Sequence, residues 1–312
     1  MILVTGGTGF IGQSLIRRLV EEGHAVRTLI RPSRRSPQLP RGVAVEAAIS
    51  SIDDERGLRA ALVGVESVYH LAGVNWFERN PDWHYTEVEG VRTLLETAHD
   101  AGVKRLVYLS HLGADRAAAF PLLKMKGIAE ERIRRGPIPY TILRSSLVFG
   151  PRDNFTVPLA KLLSIAPGIF PVPGEGLALV QPLWVEDLVS ALVWALDDEE
   201  SLNALHEVGG PEHLTIRAVI EEVMAATGKQ RLMVNVRPSY QRMLVSGLGY
   251  LMQQLPVSHT WFDYLASSRV TELDTLPRTF SLMPERFSHR LEYLRGVDWR
   301  KVMLDDLLGR GS

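Results

Sequence analysis

The sequence contains no cysteine. This absence excludes a disulfide framework, a thiolate metal site, an iron–sulfur cluster and a cysteine nucleophile. Redox chemistry would therefore require a bound cofactor, and we predict no metal site. A chain without disulfides suits the cytoplasm, which is the localisation that we expect.

An excess of charge of either sign is also missing. The 35 Lys and Arg residues nearly balance the 36 Asp and Glu residues and leave a formal net charge of −1. Such a chain has no net field of the kind that gathers nucleic acid or an anionic membrane surface. We therefore expect a small-molecule ligand and no nucleic-acid partner.

Long hydrophobic runs are absent as well. The longest apolar stretch in the C-terminal part, residues 243–255, contains glutamine and is shorter than the ~20 residues that a membrane span needs. It predicts a buried helix or a partner surface rather than a transmembrane segment. Because the chain starts directly with an apolar strand and no basic leader, we expect no signal peptide.

Short apolar runs alternate with helical patterns in the first half of the chain. Continuous hydrophobicity is typical of parallel strands buried on both faces, and apolar residues three and four positions apart are typical of amphipathic helices. The alternation predicts an α/β fold with a doubly wound parallel sheet of the Rossmann type. The predicted strands are 2–5, 25–30, 43–48, 67–71, 105–110 and 140–143, and the predicted helices are 12–22, 55–62, 87–101 and 126–134.

A glycine-rich segment lies between the first predicted strand and the first predicted helix. Glycine in this position allows a tight turn and lets the backbone approach a pyrophosphate, whose charge is met by amide groups and the positive end of the helix. A plain turn is the alternative, but the placement at the first strand–helix junction favours dinucleotide binding. The predicted cofactor-binding residues of this loop are Gly6, Thr8, Gly9, Phe10, Ile11 and Gly12.

The end of the second predicted strand carries Arg31. In NAD-specific proteins an acidic residue at this place binds the 2′-hydroxyl of the ribose. Arg31 and Arg35 could instead clamp a 2′-phosphate, because guanidinium groups offer paired donors to phosphate oxygens. We therefore predict that NADP(H) is favoured, with NAD(H) as the alternative if these arginines form only a solvated loop.

The chain changes in composition after residue 150, where prolines and glycines crowd residues 158–176. We expect residues 1–150 to form a dinucleotide-binding Rossmann domain that is rejoined by a strand and a helix at about 180–200. Residues 151–179 and 201–312 are expected to form a smaller lobe for a substrate or a partner.

Several motifs beyond the glycine loop resemble those of the extended short-chain dehydrogenase/reductase superfamily. The resemblance covers almost the whole chain. It is strongest to an atypical branch that includes an accessory subunit of respiratory complex I and many bacterial proteins of the NAD-dependent epimerase/dehydratase family. The motifs are Thr5–Gly12, His70–Gly73, Val107–Ser110, Thr141–Arg144 with Val148–Pro151, and Gln181–Asp187.

The resemblance implies roles for further residues. A loop that passes under the cofactor ribose in the family corresponds to Leu71, Ala72 and Gly73. Ser51 and Ile52 stand where the family has an aspartate against the adenine, so weaker polar contacts are expected there. Arg152 and Asp153 follow in a loop that borders the cofactor in the family.

The family's catalytic positions are only partly kept. Its Ser and Lys correspond to Ser110 and Lys126, and we predict that both are catalytic and also bind the cofactor. The family's tyrosine falls on Leu122, or on Phe120 if the register shifts by two and Lys124 takes the place of the lysine, so no phenol is present in either case. Glu87 stands in place of the usual Asn. The standard proton transfer by tyrosine therefore cannot operate as in the family.

Two functions remain open from the sequence. The chain could be an NADP(H)-dependent oxidoreductase or epimerase-like enzyme with a non-standard proton donor. It could instead be a non-catalytic NADP(H)-binding subunit with a structural, assembly or redox-sensing role, in which case the resemblance implies a place at the periphery of a membrane complex. Its partner would be a small-molecule substrate or a protein, and an oligomer is compatible with the sequence. The candidate substitute acids are Tyr69, His70, His84, Tyr85, Glu87 and His111.

Overall fold

The computed structural model describes residues 1–33, 38–74, 82–172, 174–236 and 258–308. The predicted cofactor residue Arg35 and the apolar stretch 243–255 lie outside these ranges. Across the part of the chain that is described, no helix is long and apolar enough to span a membrane.

Strands and helices alternate through most of the described chain. The strands are β1 (Ile2–Thr5), β2 (Val26–Ile30), β3 (Glu46–Ile49), β4 (Ser67–His70), β5 (Arg105–His111), β6 (Tyr140–Ser145), β7 (Val148–Phe149), β8 (Ile169–Val172), β9 (Leu179–Val180), β10 (Leu183–Trp184), β11 (Ala204–Val208), β12 (Leu214–Thr215) and β13 (Leu232–Asn235). The α-helices are α1 (Phe10–Glu21), α2 (Glu55–Ala61), α3 (Gly90–Asp100), α4 (Pro121–Arg135), α5 (Thr156–Ile165), α6 (Val185–Asp197), α7 (Ile216–Thr227), α8 (His259–Leu265), α9 (Thr275–Phe280) and α10 (Trp299–Leu307).

The central sheet has seven strands in the order β11-β6-β5-β4-β1-β2-β3, and all of its pairs are parallel. Alternate side chains of β1 enter different cores. Ile2 and Val4 pack with α1 and α6, whereas Leu3 packs with α2, α3 and α4. Both faces of the sheet are therefore covered by helices, and the predicted doubly wound Rossmann fold is confirmed.

The order of the strands reverses between β1 and β4. From β1 the chain moves outward to β2 and β3, and from β4 it moves in the opposite direction to β5 and β6. In sheets of this kind the crevice for a ligand opens at the carboxyl ends of the strands on either side of the reversal. The loops that follow β1 and β4 are therefore central to a candidate site, and the ends of β2 and β5 lie beside them.

Helix α4 begins at Pro121, well before the predicted start at residue 126. Proline fits the first turn of a helix, because its missing N–H would have no partner there. The helix predicted from residue 87 also begins differently, with a π-helical turn at Tyr85–Glu89 before α3. Both differences lie close to the predicted catalytic residues.

The second half of the chain is divided between the sheet and a separate core. Strand β11 extends the main sheet beside β6, although the prediction placed residues from 201 onward in the smaller lobe. The reason is that backbone pairing with β6, which local sequence does not reveal, decides where this strand lies. Another core is formed by α5, α7, α8 and α10, and it contains the buried rings of Phe149, Phe155 and Phe287.

Asp153 organises the loop that joins the sheet to this separate core. Its side chain is 3% exposed, and burial raises its pKa, while hydrogen bonds from Thr156 and nearby amides oppose that rise. These bonds hold β7, the start of α5 and Tyr293 together. The donors are the amides of Gly150, Phe155, Thr156 and Val157 and the hydroxyls of Thr156 and Tyr293.

We expect Asp153→Ala to lower the free energy of unfolding by about 3 kcal/mol or more, because several buried donors would lose their acceptor. The matched control is Asp100→Ala. Asp100 is half-exposed and pairs with Arg59 on the surface, so its loss should cost about 1 kcal/mol or less. Urea unfolding of both variants measures the difference. Equal losses would show that the Asp153 network does not support the fold.

Candidate functional site

The glycine loop is held tightly between strand ends and helix α1. Gly6 has a φ of +75°, and a Cβ there would lie 2.7 Å from the backbone nitrogen of Ala72. A Cβ at Gly12 would lie 2.2 Å from the carbonyl oxygen of Gly6. The loop after β1 therefore packs on the loop after β4 and on the first turn of the helix, and these two positions accept no side chain.

Gly9 occupies a different environment. It is the N-cap of α1, with an extended backbone and no side chain capping the helix, and a Cβ there would meet only the Gly6 carbonyl oxygen, at 3.2 Å. The amide of Gln13 donates to the Gly9 carbonyl, so the amides of residues 10–12 stand at the open end of the helix. No acidic side chain lies in this first turn. The loop can therefore bind a phosphate anion.

Arg152, in the loop after β7, contacts helix α1 next to the same glycine loop. Its guanidinium donates to Oε1 of Gln13 over 2.7 Å, and Nε2 of Gln13 donates to the carbonyl oxygen of Thr8 over 2.9 Å. The backbone of Arg152 has a φ of +69°, a conformation that costs a non-glycine residue free energy and often marks functional sites. A cation thus lies beside the helix end.

The opposite end of the crevice holds Arg31, Ser51 and Ile52. Arg31 is exposed directly after β2, and Ile52 is buried beneath Gly90, where a Cβ would lie 2.9 Å from Ile52 Cγ2. Ser51 donates to the carboxylate of Asp53, and Tyr85 does so as well. These two hydrogen bonds hold the pKa of Asp53 below its usual value. Asp53 therefore brings a carboxylate to this end that the family pattern did not indicate.

Lys126 and Glu87 form a buried ion pair beneath the loop after β4. Nζ of Lys126 lies 2.9 Å from Oε2 of Glu87, with side chains 5% and 0% exposed. Oε1 of Glu87 accepts from the amide of Val74 over 3.0 Å, and a Cβ on Gly73 would lie 2.9 Å from the same oxygen. The lysine therefore lies directly under the loop expected to carry the cofactor ribose.

The charge of Lys126 is fixed by its surroundings. Burial lowers its pKa, but the Glu87 carboxylate and Tyr108 raise it, and the net result is a pKa above the usual value. Nζ also donates to the carbonyl oxygen of Leu109 over 3.3 Å and lies 4.8 Å from the centre of the Tyr108 ring. The lysine is consequently protonated at neutral pH.

Ser110 pairs with Glu130 rather than with Lys126 or Glu87. Its buried hydroxyl donates to Oε1 of Glu130 over 2.5 Å, and Arg144 donates to both oxygens of that carboxylate, over 3.0 and 2.7 Å. Ser110 and Lys126 thus lie on neighbouring elements but contact different carboxylates. Their catalytic and cofactor-binding roles stay predictions.

The substitute acids named from the sequence have separate environments. Tyr69 donates to the carbonyl oxygen of Leu192 on the α6 side of the sheet, and Tyr85 is held by Asp53. His70 is bonded through Nδ1 to Thr5, and burial and Lys126 lower its pKa to about 3. Glu87 is paired with Lys126 and His84 is exposed. His111, the last residue of β5, is the one of these that faces the second core.

Residues of α8 and of the segment after it pack around His111 at the end of β5. The ring of His111 packs edge-on against Tyr264 of α8, with ring centres 6.2 Å apart. Arg269 lies 3.8 Å from the centre of the Tyr264 ring and 4.8 Å from that of Phe120. Leu122, which the resemblance predicts at the position of the family's tyrosine, is buried. Sequence reasoning missed Tyr264 and Arg269, because only the tertiary fold brings them to β5.

Comparison with known proteins agrees with this geometry. A family described as NAD(P)H-binding matches residues 6–154. The chain is similar to subunit 9 of the NADH dehydrogenase [ubiquinone] 1 alpha subcomplex, mitochondrial, of Arabidopsis thaliana, with 28% identity over 70% of this chain and 56% of the relative. It is similar to 2-alkyl-3-oxoalkanoate reductase of Stenotrophomonas maltophilia, with 27% identity over 74% of this chain and 77% of the relative. The chain thus spans little more than half of the plant protein.

The fold has counterparts among solved structures. UDP-glucose 4-epimerase of Thermotoga maritima superposes with a TM-score of 0.74 and 22% identity, over 97% of this chain and 99% of the epimerase. Residues 6–154, just under half of the chain, thus match an NAD(P)H-binding family, and the chain has the fold of this epimerase.

Proposed function

We propose that the chain is an NADP(H)-dependent oxidoreductase whose reaction does not use the family's tyrosine. The observation that carries this proposal is the buried Lys126–Glu87 pair beneath Gly73, with Leu122 in place of the phenol. Burying the charges of Lys126 and Glu87 costs desolvation free energy, which an exposed lysine would not cost. A lysine in this buried position therefore supports a role at the cofactor. The reductase among the relatives supports an oxidoreductase over a purely structural protein.

The dinucleotide would lie along the carboxyl ends of the strands. The amides of residues 10–12 would hold its pyrophosphate, with Arg152 adding a positive charge, and Arg31 would contact a 2′-phosphate. Leu71, Ala72 and Gly73 would lie against the ribose next to the nicotinamide. When bound, the cofactor would supply or accept a hydride at this end of the crevice.

The residues of the chain would divide the remaining work. Lys126, kept protonated by Glu87, would donate a hydrogen bond to a ribose hydroxyl, and Glu87 would fix its direction. No phenol would stand next to the substrate carbonyl. Substrates that need strong general acid catalysis would consequently react slowly, because that contribution is typically worth 10²–10⁴-fold in rate.

A non-catalytic NADP(H)-binding subunit is the second candidate function. It is favoured by the similarity to mitochondrial NADH dehydrogenase subunits of Arabidopsis and mouse. In this role the chain would act at the periphery of a membrane complex, whereas the enzyme would act in the cytoplasm. Tight retention of NADP(H) without turnover of any acceptor, together with a co-purifying protein, would favour the subunit.

Gly9→Asp should abolish dinucleotide binding while leaving the fold intact. The backbone of Gly9 is extended, so a side chain there requires only a small shift from the Gly6 carbonyl oxygen 3.2 Å away, but a carboxylate at the helix end would repel a pyrophosphate. Gly9→Ala is the matched control and should weaken binding far less. Calorimetric titration with NADPH, accompanied by circular dichroism, measures both variants. A folded Gly9→Asp protein with unchanged affinity would contradict the assignment of the glycine loop.

Substitution of Arg31 should change the choice between cofactors, whereas substitution of Arg152 should change the affinity for both. We expect Arg31→Ala to weaken NADPH binding about 10-fold or more, the range of a charge-assisted hydrogen bond, with little effect on NADH. Arg152→Gln should weaken both cofactors by similar factors, since both contain the pyrophosphate. The dissociation constants of each of the two variants for NADPH and for NADH, compared with those of the wild type, test this. A wild type that binds NADH more tightly, or equal losses for both cofactors in Arg31→Ala, would rule out the preference for NADP(H).

Leu122→Tyr should introduce carbonyl reduction that the wild type lacks. We expect the wild type to reduce benzaldehyde negligibly, and the variant to do so at least about 10-fold faster, because a phenol would stand four residues before Lys126. Leu122→Phe adds the same ring without the hydroxyl and should bring no gain. The oxidation of NADPH, followed by absorbance, gives the rates. Brisk benzaldehyde reduction by the wild type, or an equal gain in Leu122→Phe, would contradict the proposal.

A further inference from the structure

Arg269 is held rigidly at the substrate end of the crevice. Its amide donates to the carbonyl oxygen of Leu179 over 2.9 Å, and its guanidinium donates to the carbonyl oxygens of Tyr264 and Ser267. The Tyr264 and Phe120 rings lie over the guanidinium, with Cζ 3.8 and 4.8 Å from their centres. Because aromatic rings occupy its faces, the remaining N–H groups point along its edge, where guanidinium binds oxyanions.

Among the described residues, no carboxylate forms an ion pair with Arg269. The guanidinium is half-buried; burial lowers its pKa, and the one group that opposes this is Tyr264, with no carboxylate of the described residues contributing. The other cations near β5 differ, because Lys126 pairs with Glu87 and Arg144 with Glu130. A partly desolvated cation without a counter-ion favours an incoming anion.

The phenol that packs on Arg269, that of Tyr264, is buried, and burial raises its pKa, so it is a weak acid. Leu122 replaces the family's phenol, and Lys126 is held in its ion pair. Burial, together with Lys126 and Arg269, lowers the pKa of His111 to about 3, so the imidazole is neutral at neutral pH. A negative charge that develops on a substrate oxygen here would consequently be stabilised by a fixed positive charge rather than by protonation.

We propose that Arg269 binds the substrate oxygen as an oxyanion, and that the site takes quinone-like aromatic acceptors, whose reduced form is a stabilised aromatic oxyanion. This inference rests on the proposed function. The acceptor gains one hydrogen and two electrons as the C4–H bond of NADPH breaks, and the nicotinamide becomes cationic. The resulting hydroquinone monoanion takes its second proton from water. A ketone or aldehyde would instead give a strongly basic alkoxide, which needs an acid at once.

Binding of 4-nitrophenol tests the oxyanion site without turnover. Its anion and neutral form differ in colour, so a pH titration of the full chain with NADP⁺ gives the pKa of the bound phenol. We expect a pKa about one unit or more below that of free 4-nitrophenol, the shift that a nearby opposite charge causes. Arg269→Met should abolish this shift, and Arg269→Lys should keep part of it. Absence of the shift in the wild type would overturn the inference.

A matched control is available at Arg278. This arginine is exposed and pairs with Glu272, so Arg278→Met should leave the shift unchanged. If Arg269→Met leaves the shift as large as in the wild type, the inference is wrong. If Arg269→Met fails to bind NADPH, Arg269→Lys decides, since it keeps the charge and should keep both NADPH binding and part of the shift.

Turnover provides the second readout. The wild type should reduce 1,4-naphthoquinone with NADPH well above the uncatalysed rate, and Arg269→Met should lose about 10²–10³-fold in kcat, as for the loss of one oxyanion donor. Its dissociation constant for NADPH should stay within about twofold. Failure of the wild type to bind NADPH would refute the proposed function itself. Normal NADPH binding with no naphthoquinone reduction, or with a rate insensitive to Arg269, would refute only the inference.

Discussion

The buried ion pair between Lys126 and Glu87 connects the parts of the candidate site. Such a pair costs several kcal/mol in desolvation per ion and is kept only where further hydrogen bonds satisfy it. Glu87 meets this condition through the amide of Val74, and Lys126 through the carbonyl of Leu109. Removing either partner would leave a buried charge, so the pair locks α4, the turn before α3 and the loop after β4 into one arrangement.

In this arrangement the groups suited to cofactor binding and the place where a proton donor would stand lie at different strand ends. At β1 the loop offers amides, a helix end and Arg152 to a pyrophosphate, and these features require only backbone geometry and positive charge. At β5 the lysine is kept where a ribose would lie, but Leu122 supplies no hydroxyl and His111 is held neutral. In the proposed function the crevice would hold a dinucleotide at the glycine loop, and Arg269 rather than an acid would set the electrostatics of the substrate end.

The fold was predictable from sequence where local pattern decides the structure. Strand β1 has the predicted bounds, and the glycine loop has its informative position because turn, strand and helix adjoin in sequence. The start of α4 was missed because a proline signal overrides apolar spacing. The pairing of Ser110 with Glu130, the positive φ of Arg152 and the approach of Arg269 to Phe120 were not predictable, because each depends on contacts between residues distant in sequence.

The most direct test of the account is a crystal structure of the chain with NADPH. We expect the pyrophosphate at the amides of residues 10–12, the ammonium of Lys126 within hydrogen-bond distance of the nicotinamide ribose, and no tyrosine hydroxyl within that distance of a substrate carbonyl placed at nicotinamide C4. A ribose out of reach of Lys126, or a tyrosine hydroxyl next to C4, would contradict it.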